Sequence, residues 1–258
     1  NKIPVIRRIS GGGAVYHDEG NLNFSFIVQS THGYQVDFRK YTLPVIEFLS
    51  ALGVDAKFEG KNDLKVNGLK ISGNAEHVHR QRVLHHGTLL FDSRLDLLKK
   101  SLRIDTSSYL TRAVSSNPSH IMNLKEIISV RNMNEFVSSM LEFFLSQGNE
   151  NSKIDLTFEE TTAIRSLAES KFRTWEWNYA YGPEYQLNNK FRLDGNEHQY
   201  YLLVKDGIIC ECRIDGSDKM VSFAKKLVGY RHMPSEIEEV INREKINIRR
   251  QEIYRFFS

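Results

Sequence analysis

Arg7 and Arg8, Ser10 and three consecutive glycines, Gly11, Gly12 and Gly13, head a segment that continues Ala14-Val15-Tyr16-His17-Asp18-Glu19-Gly20-Asn21. Glycine has no Cβ, so such a loop can take positive φ and bring backbone N–H groups close to a ligand. A nearby guanidinium adds charge and paired donors for an oxyanion. The chemistry this permits is the holding of a phosphate or a carboxylate. The spacing is neither G-x-G-x-x-G nor G-x-x-x-x-G-K-[ST], which sets aside a dinucleotide fingerprint and a P-loop. Alone, three glycines also serve as a plain tight connection after a strand.

A second group of functional side chains lies in Asn62-Asp63-Leu64-Lys65-Val66-Asn67-Gly68-Leu69-Lys70-Ile71-Ser72-Gly73-Asn74-Ala75. Asn67-Gly68 between alternating runs predicts a type I′ hairpin turn. The alternation sends Leu64, Val66, Leu69 and Ile71 to a core and Lys65 and Lys70 to the other face. Lys70 then projects from a stiff strand; the bland alternative is a solvated strand lysine. Ser72 to Ala75 is a small-residue stretch where a ligand can approach backbone, and Asn62 and Asp63 are types that orient a sugar or hold Mg²⁺. His85-His86-Gly87-Thr88-Leu89-Leu90-Phe91 predicts a strand whose adjacent histidines point to opposite faces, which makes a poor metal pair. Glu76 to Arg82 reads as an exposed polar loop, with His77 and His79 in it as weak zinc candidates.

The ordered set R-R-x-S-G-G-G-A-V-Y-H-D-x-G-N, N-D, K-I-S-G-N-A and H-H-G-T-L-L, with Thr174-Trp175-Glu176-Trp177-Asn178 downstream, closely resembles the lipoate-protein ligases and lipoyltransferases of the biotinyl/lipoyl ligase superfamily. The resemblance runs through most of the chain. It implies an α+β fold: a biotin/lipoate-protein-ligase-like catalytic domain with mixed β-sheets flanked by helices, and a small α+β C-terminal accessory domain that reorients between activation and transfer. Carried over by motif, Arg8, Ser10, Gly11, Gly12, Gly13, Val15 and His17 would contact the ATP or lipoyl-adenylate, and Asn21 would close the loop. For His17 a core histidine bonded near a turn stays open as a second reading. Asn62 and Asp63 would face the adenosine and phosphate side, with Asp63 as a Mg²⁺ ligand. Lys70 would be the catalytic lysine beside the phosphate and carbonyl oxygens, and Ala75, His86 and Thr88 would line the site. The resemblance also implies ATP and Mg²⁺ as cofactors and lipoate as substrate. Its partners would be apo lipoyl domains of E2 subunits and the glycine cleavage H protein, its state a monomer, and its location the cytoplasm, or the mitochondrion in a eukaryote.

The residue types suit that chemistry. A carboxylate attacking the α-phosphate of ATP needs fixed positive charge and backbone donors for the electron-rich transition state and the departing pyrophosphate. The acyl group then passes from AMP to the ε-amine of an acceptor lysine without an enzyme nucleophile. Transferases that work through an acyl-thioester require a cysteine in this domain. The only two cysteines are Cys210 and Cys212, in an alternating stretch where same-face buried thiols are expected and where C-x-C is no usual zinc knuckle. The expectation is therefore an ATP-dependent lipoate-protein ligase. A lipoyltransferase that takes preformed lipoyl-AMP is not distinguished by these motifs. A biotin ligase is disfavoured by the lipoyl-type form of the glycine loop, and a non-catalytic acyl- or nucleotide-binding scaffold by the presence together of Arg8, Lys70, Asn62 and Asp63.

Positioning these groups requires a sizeable framework, and 258 residues at 40% hydrophobic composition suffice for one large and one small domain. The catalytic domain is expected over 1–183 and the accessory domain over 187–258. A net charge of +3 gives no case for nucleic acid, though it would attract an acidic acceptor. No apolar run approaches a membrane span, no signal peptide opens the chain, and two cysteines argue for a reducing interior. Asn1 is not a natural start, so an upstream segment is expected before a strand at Ile3-Pro4-Val5-Ile6. Periodicity predicts a strand from Asn23 to Val28 and a helix from Phe38 to Leu52 buried through Tyr41, Val45, Phe48, Leu49 and Leu52. Further helices are expected after a cap at Asp92 or Ser93, from Asn134 through Phe144, and from the capping box Thr157-Phe158-Glu159-Glu160 to about Phe172. Trp175 and Trp177 should brace packing. Arg103 to Asn132 reads as a long loop, including Thr106-Ser107-Ser108 and Ser115 to Ser119. Strands His198–Val204 and Ile208–Ile214 should flank an Asp206-Gly207 turn, followed by helices near Ser217–Val228 and Pro234–Asn242.

Overall fold

The computed structural model describes residues 3–29, 36–102, 107–113, 119–148 and 152–257. The chain divides into two compact units, each discontinuous in sequence. One comprises Arg8–Arg103 and Ser115–Leu156, the other Asn1–Arg7, Ile104–Val114 and Thr157–Ser258.

In the first unit the chain forms β1 (Asn21–Gln29), α1 (Phe38–Ala51), β2 (Lys57–Glu59), β3 (Asp63–Val66), β4 (Leu69–His79), β5 (Arg82–Leu90), α2 (Leu95–Ser101) and α3 (Met133–Ser146). The strands make one antiparallel sheet in the order β1-β5-β4-β3-β2. Its core face packs Val45, Phe48 and Leu49 of α1 and Phe136 of α3 against Leu64, Ile71 and Leu89. Along β1 half-buried Leu22, Phe24 and Phe26 alternate with exposed Asn23, Ser25 and Ile27, so the sheet keeps a second face that this core does not use.

The Asn67-Gly68 turn forms as expected, with both residues at positive φ (50° and 77°). Leu69, expected in the core, is exposed although it sits opposite buried Val66, because it is the first strand residue after the turn at the end of the sheet; beyond it the β3–β4 register shifts at Leu64/Lys65 and leaves Ile71 as an extra residue. The expected Glu76–Arg82 loop is instead the tip of a hairpin. Glu76 pairs with His85 and Val78 with Val83, and the chain turns at Arg80, whose φ is 55°. No strand forms at Ile3–Ile6: these side chains are exposed and the backbone has no partner strand among the described residues. The α2 cap is Arg94 without a side-chain bond, because Asp92 pairs with Lys125 and the Ser93 backbone bonds Asn123. Helix α3 begins at Met133, one residue earlier than expected, on an Asn132 cap. The expected long loop is partly ordered: a bridge pairs Lys70 with Ile121, and a capped turn runs Leu124–Glu126. Thr106 and 115–118 lie outside the described residues.

The second unit contains β6 (Tyr109–Thr111), α4 (Phe158–Leu167), two π-helical turns (Ala168–Phe172 and Glu176–Ala180), β7 (Tyr185–Leu193), β8 (Asn196–Lys205), β9 (Ile208–Ile214), α5 (Asp218–Leu227), α6 (Pro234–Arg243) and α7 (Arg250–Ile253). Its sheet runs β6-β7-β8-β9. The Thr157/Glu160 capping box and the Asp206-Gly207 turn form as expected. Trp177 braces the first segment, stacking on Tyr181 (5.1 Å) and donating from Nε1 to Arg7 O (2.8 Å), while Asn178 Oδ1 accepts from Arg7 N (2.7 Å). The two cysteines do not share a face. The β8–β9 register shifts at Leu203/Val204, so Ile209 and Cys212 both turn inward and Cys210 outward. Burial pushes the Cys212 thiol up to about 12.

His232, buried in this unit, accepts from Tyr185 O–H at Nδ1 (2.5 Å) and donates from Nε2 to Phe256 O (2.5 Å). Burial lowers its pKa to about 4, against the smaller opposing pull of the Phe256 carbonyl. The folded form therefore resists protonation, so this contribution to stability is intact above the unfolded pKa near 6.5 and is lost as pH falls towards 4. The loss should approach about 3 kcal/mol. His232→Phe should shed that part of the fall in melting temperature between pH 7 and pH 4.5; an identical fall in both proteins would contradict the buried neutral imidazole.

Candidate active site

Arg8 builds the glycine loop from within. Its Nη2 donates to Gly11 O and Gly13 O, both at 2.9 Å, and its Nε to Ser10 Oγ at 3.1 Å. Gly12 has φ +108°, and a Cβ there would meet Arg8 Nη2 at 2.8 Å, so this tight wrap requires glycine. Ser10 Oγ in turn lies 2.5 Å from His86 Nε2. The Ser10 hydroxyl can thus accept from Arg8 while donating to a neutral His86. Burial lowers the His86 pKa, and the charges of Arg8, His85 and His17 add to it. Partial desolvation by the surrounding loop also lowers Arg8, and lowers the ring of His17 with help from Arg8. Loss of solvent is the main cause in each case and the Arg8 charge a second one for the two histidines, and an incoming anion would favour the charged forms again.

The far end of the loop is fastened to the sheet. Asp18 Oδ1 accepts from Gly20 N (3.0 Å) and its Oδ2 from Arg94 N (2.8 Å), while Gly20 O accepts from Phe91 N and Asp92 N. His17 is exposed rather than in a core, its Nδ1 accepting from Asn21 Nδ2 at 2.8 Å. Asn21 Nδ2 also donates to Asn23 Oδ1, and Asn21 Oδ1 is buried with no partner among the described residues. Val15 is exposed on the loop. A cavity of about 450 Å³ opens beside this end, lined by Tyr16, Asp18, Gly20, Asp92, Arg94 and Lys125.

Lys70 reaches the same sheet face because of the extra residue Ile71. Strict alternation would put Lys70 with Ser72 and Asn74, which are buried; the bulge flips the phase and lays its Nζ beside Gly73, 3.3 Å from where a Cβ would stand. The backbone of Lys70 is strapped by His120 O (2.8 Å) and Met122 N (3.1 Å). Its Nζ pairs with Asp63 Oδ1 at 2.7 Å. Gly73 N donates to Thr88 Oγ1 (3.3 Å), and Ala75 sits opposite His86 in register. Ser10, His86, Thr88, Gly73, Lys70 and Asp63 thereby form a continuous row. Asn62 does not point along it: Nδ2 donates to Asn74 O, and Asn62 O accepts from Asn74 N and Nδ2. The motif reading missed the cavity and the buried partners Glu76 and His85. The Glu76–His85 pairing would have been visible had residues 76–82 been read as a hairpin.

Asp63 is already committed to an ammonium, and Glu59 pairs with Lys65. Among the described residues no three His, Cys, Asp or Glu side chains converge as metal ligands. Such a donor set suits a Mg²⁺ carried on a nucleotide, which needs few protein carboxylates, rather than a protein-built cage.

A five-stranded antiparallel sheet under helices, with a basic glycine loop and a strand lysine on its other face, defines an α+β protein with a cationic cleft. A family model described as the lipoyl protein ligase A/B catalytic domain matches residues 1–145, and the chain belongs to that family. The lipoate-protein ligase LplJ of Bacillus subtilis is 35% identical over 256 residues, 96% of this chain and 77% of that protein. A solved lipoate-protein ligase A bound with ATP superposes with TM-score 0.55 at 28% identity, covering 68% of this chain and 72% of that one. The bipartite lipoate protein ligase of Thermoplasma acidophilum, described with its E2 lipoyl domain, matches with TM-score 0.53 at 28% identity over 67% of this chain and 69% of that one.

Proposed function

We propose that this chain is a lipoate-protein ligase that joins lipoate to AMP at the expense of ATP, releasing pyrophosphate, and passes the lipoyl group to a lysine ε-amine of a lipoyl domain. The observation that carries the reading is the row from Arg8 and Ser10 through His86 and Thr88 to Lys70, which sets a guanidinium and an ammonium along one sheet face. With the Gly11 and Gly13 carbonyls turned to Arg8, the loop amides are the donors offered to the α-phosphate. Lys70 supplies charge to the oxygens on which negative charge grows, and Asp63 holds it in place. Asn21 closes the loop and the cavity at Tyr16–Gly20 receives the rest of the nucleotide; Ala75 and Val15 line the way to the acyl chain. Mg²⁺ accompanies the ATP phosphates. The acceptors are apo E2 lipoyl domains and the glycine cleavage H protein. The ligase works as a monomer in the cytoplasm, with catalysis in 1–183 and an accessory role for 187–258. Among the described residues no helix is long and apolar enough to cross a membrane.

Lipoate-dependent ATP–pyrophosphate exchange tests this reading, with octanoate and biotin as competing acids. Exchange with lipoate but not biotin is the expected result. Transfer from supplied lipoyl-AMP without exchange would leave a lipoyltransferase, and failure of both would leave a binding scaffold.

A further inference from the structure

One buried ionisable pair takes no part in the row above. His85 is fully buried, the side chain of Glu76 is 1% exposed, and Nδ1 of His85 lies 2.9 Å from Glu76 Oε1. The other carboxylate oxygen, Oε2, accepts from Asp37 N (3.1 Å), at the head of α1. The imidazole is enclosed by the rings of Tyr41 (5.5 Å), Phe38 (5.9 Å), Phe24 (6.2 Å) and Phe26 (6.3 Å), and its Nε2 has no hydrogen-bond partner among the described residues. Burial lowers the His85 pKa against the pull of Glu76, so the ring donates Nδ1–H to a carboxylate and leaves Nε2 as a dry acceptor.

An aromatic cage of this kind would hold phenylalanine or leucine at least as stably, since a buried polar pair costs desolvation that an apolar replacement of like shape avoids. What the pair supplies is direction. The carboxylate bond, the four rings and the α1 contact leave residue 85 one orientation, and residue 86 is its neighbour on the opposite face of β5. Register adds to this: Glu76 and Phe26 flank His85, while Ala75 and Ser25 flank His86.

We propose that Glu76 and His85 are positioning residues, which hold β5 so that His86 Nε2 meets Ser10 Oγ and the Arg8-wrapped loop keeps its place over the sheet. The proposal rests on reading Ser10 and His86 as part of the ligand site. The test compares wild type, E76Q and the apolar double variant E76L/H85F by lipoate-dependent pyrophosphate exchange, melting temperature and the ring ¹⁵N shifts of His86. E76Q keeps an acceptor for Nδ1–H and should stay within about threefold of wild type in kcat. The double variant should melt no lower than wild type, shift the His86 resonances and lose about tenfold to a hundredfold in kcat, with the KM for lipoate little changed. A folded double variant with wild-type kcat, or one that loses rate while His86 is unmoved, would overturn the proposal. If the double variant does not fold, H85N decides, since it keeps an N–H towards Glu76 but empties the cage. A shifted His86 and lowered kcat support the proposal, and neither change refutes it. Absence of exchange in the wild type refutes the ligase reading, and the His86 shifts then still judge the positioning role.

Discussion

Lys70→Ala should lower lipoate-dependent pyrophosphate exchange by about two to three orders of magnitude, the range seen when one transition-state donor is removed from a preorganised site. The expectation follows from how much structure is spent on aiming one ammonium. A bulge at Ile71 turns the side chain out of the core, the His120–Met122 strap fixes its backbone, and Asp63 holds Nζ at 2.7 Å. Folding should suffer only modestly, because the side chain is 26% exposed and fills no core volume. The cost that remains is the Asp63 carboxylate, 18% exposed and deprived of its partner, worth about 1–3 kcal/mol. Lys70→Ala with Asp63→Asn should therefore recover melting temperature without recovering exchange. A folded Lys70→Ala protein that exchanges within about tenfold of wild type would remove Lys70 from the transition state.

The same lysine shows where reading the sequence succeeds and where it stops. Asn67-Gly68 announces its turn through the φ each residue tolerates, and α1 through the spacing of Val45, Phe48 and Leu49, because both signals are local. Local alternation also sends Lys70 to the non-core face with Lys65, as found; what it does not show is that Ile71 has no counterpart on β3, a property of the pair of strands that buries Ser72 and Asn74 and brings Lys70 beside Gly73. Cys210 was misplaced for the same reason, by a bulge against β8. The β4–β5 turn at Arg80 escaped notice because a non-glycine residue takes the positive φ there. Once that turn was lost, so was the Glu76–His85 pairing that crosses it. Strand β7 was hidden by Asn188-Asn189-Lys190, which masks the inward alternation of Leu187, Phe191 and Leu193. Motif order named residues that the fold does bring together, Arg8, Ser10, His86, Thr88 and Lys70, since their spacing along the chain reflects strand register. It could not tell that Asn62 spends its amide on the Asn74 backbone.

Gly20→Ala is expected to be the most damaging small substitution in the glycine-loop segment, at about 2–4 kcal/mol. A Cβ at Gly20 would stand 2.0 Å from Asp92 O, 2.2 Å from Asp92 C and 2.5 Å from Ser93 N. All three are backbone atoms at the end of β5, so no side-chain rotation relieves the clash. Nor can the two segments separate cheaply, because Gly20 O accepts from both Phe91 N (3.0 Å) and Asp92 N (2.9 Å). Moving Gly20 would also strain Asp18, which holds Gly20 N and Arg94 N, and the adjacent Asn21 with its tie to His17. The melting temperature should fall by roughly 5–15 °C, with lipoate activation weakened in the protein that stays folded. Gly11→Ala is the control within the same loop: a Cβ there meets nothing within 4 Å, and its melting temperature should match wild type. Equal melting temperatures for Gly20→Ala and Gly11→Ala would mean that the loop is not fastened to the end of β5 and that its hold on the anion comes from Arg8 alone.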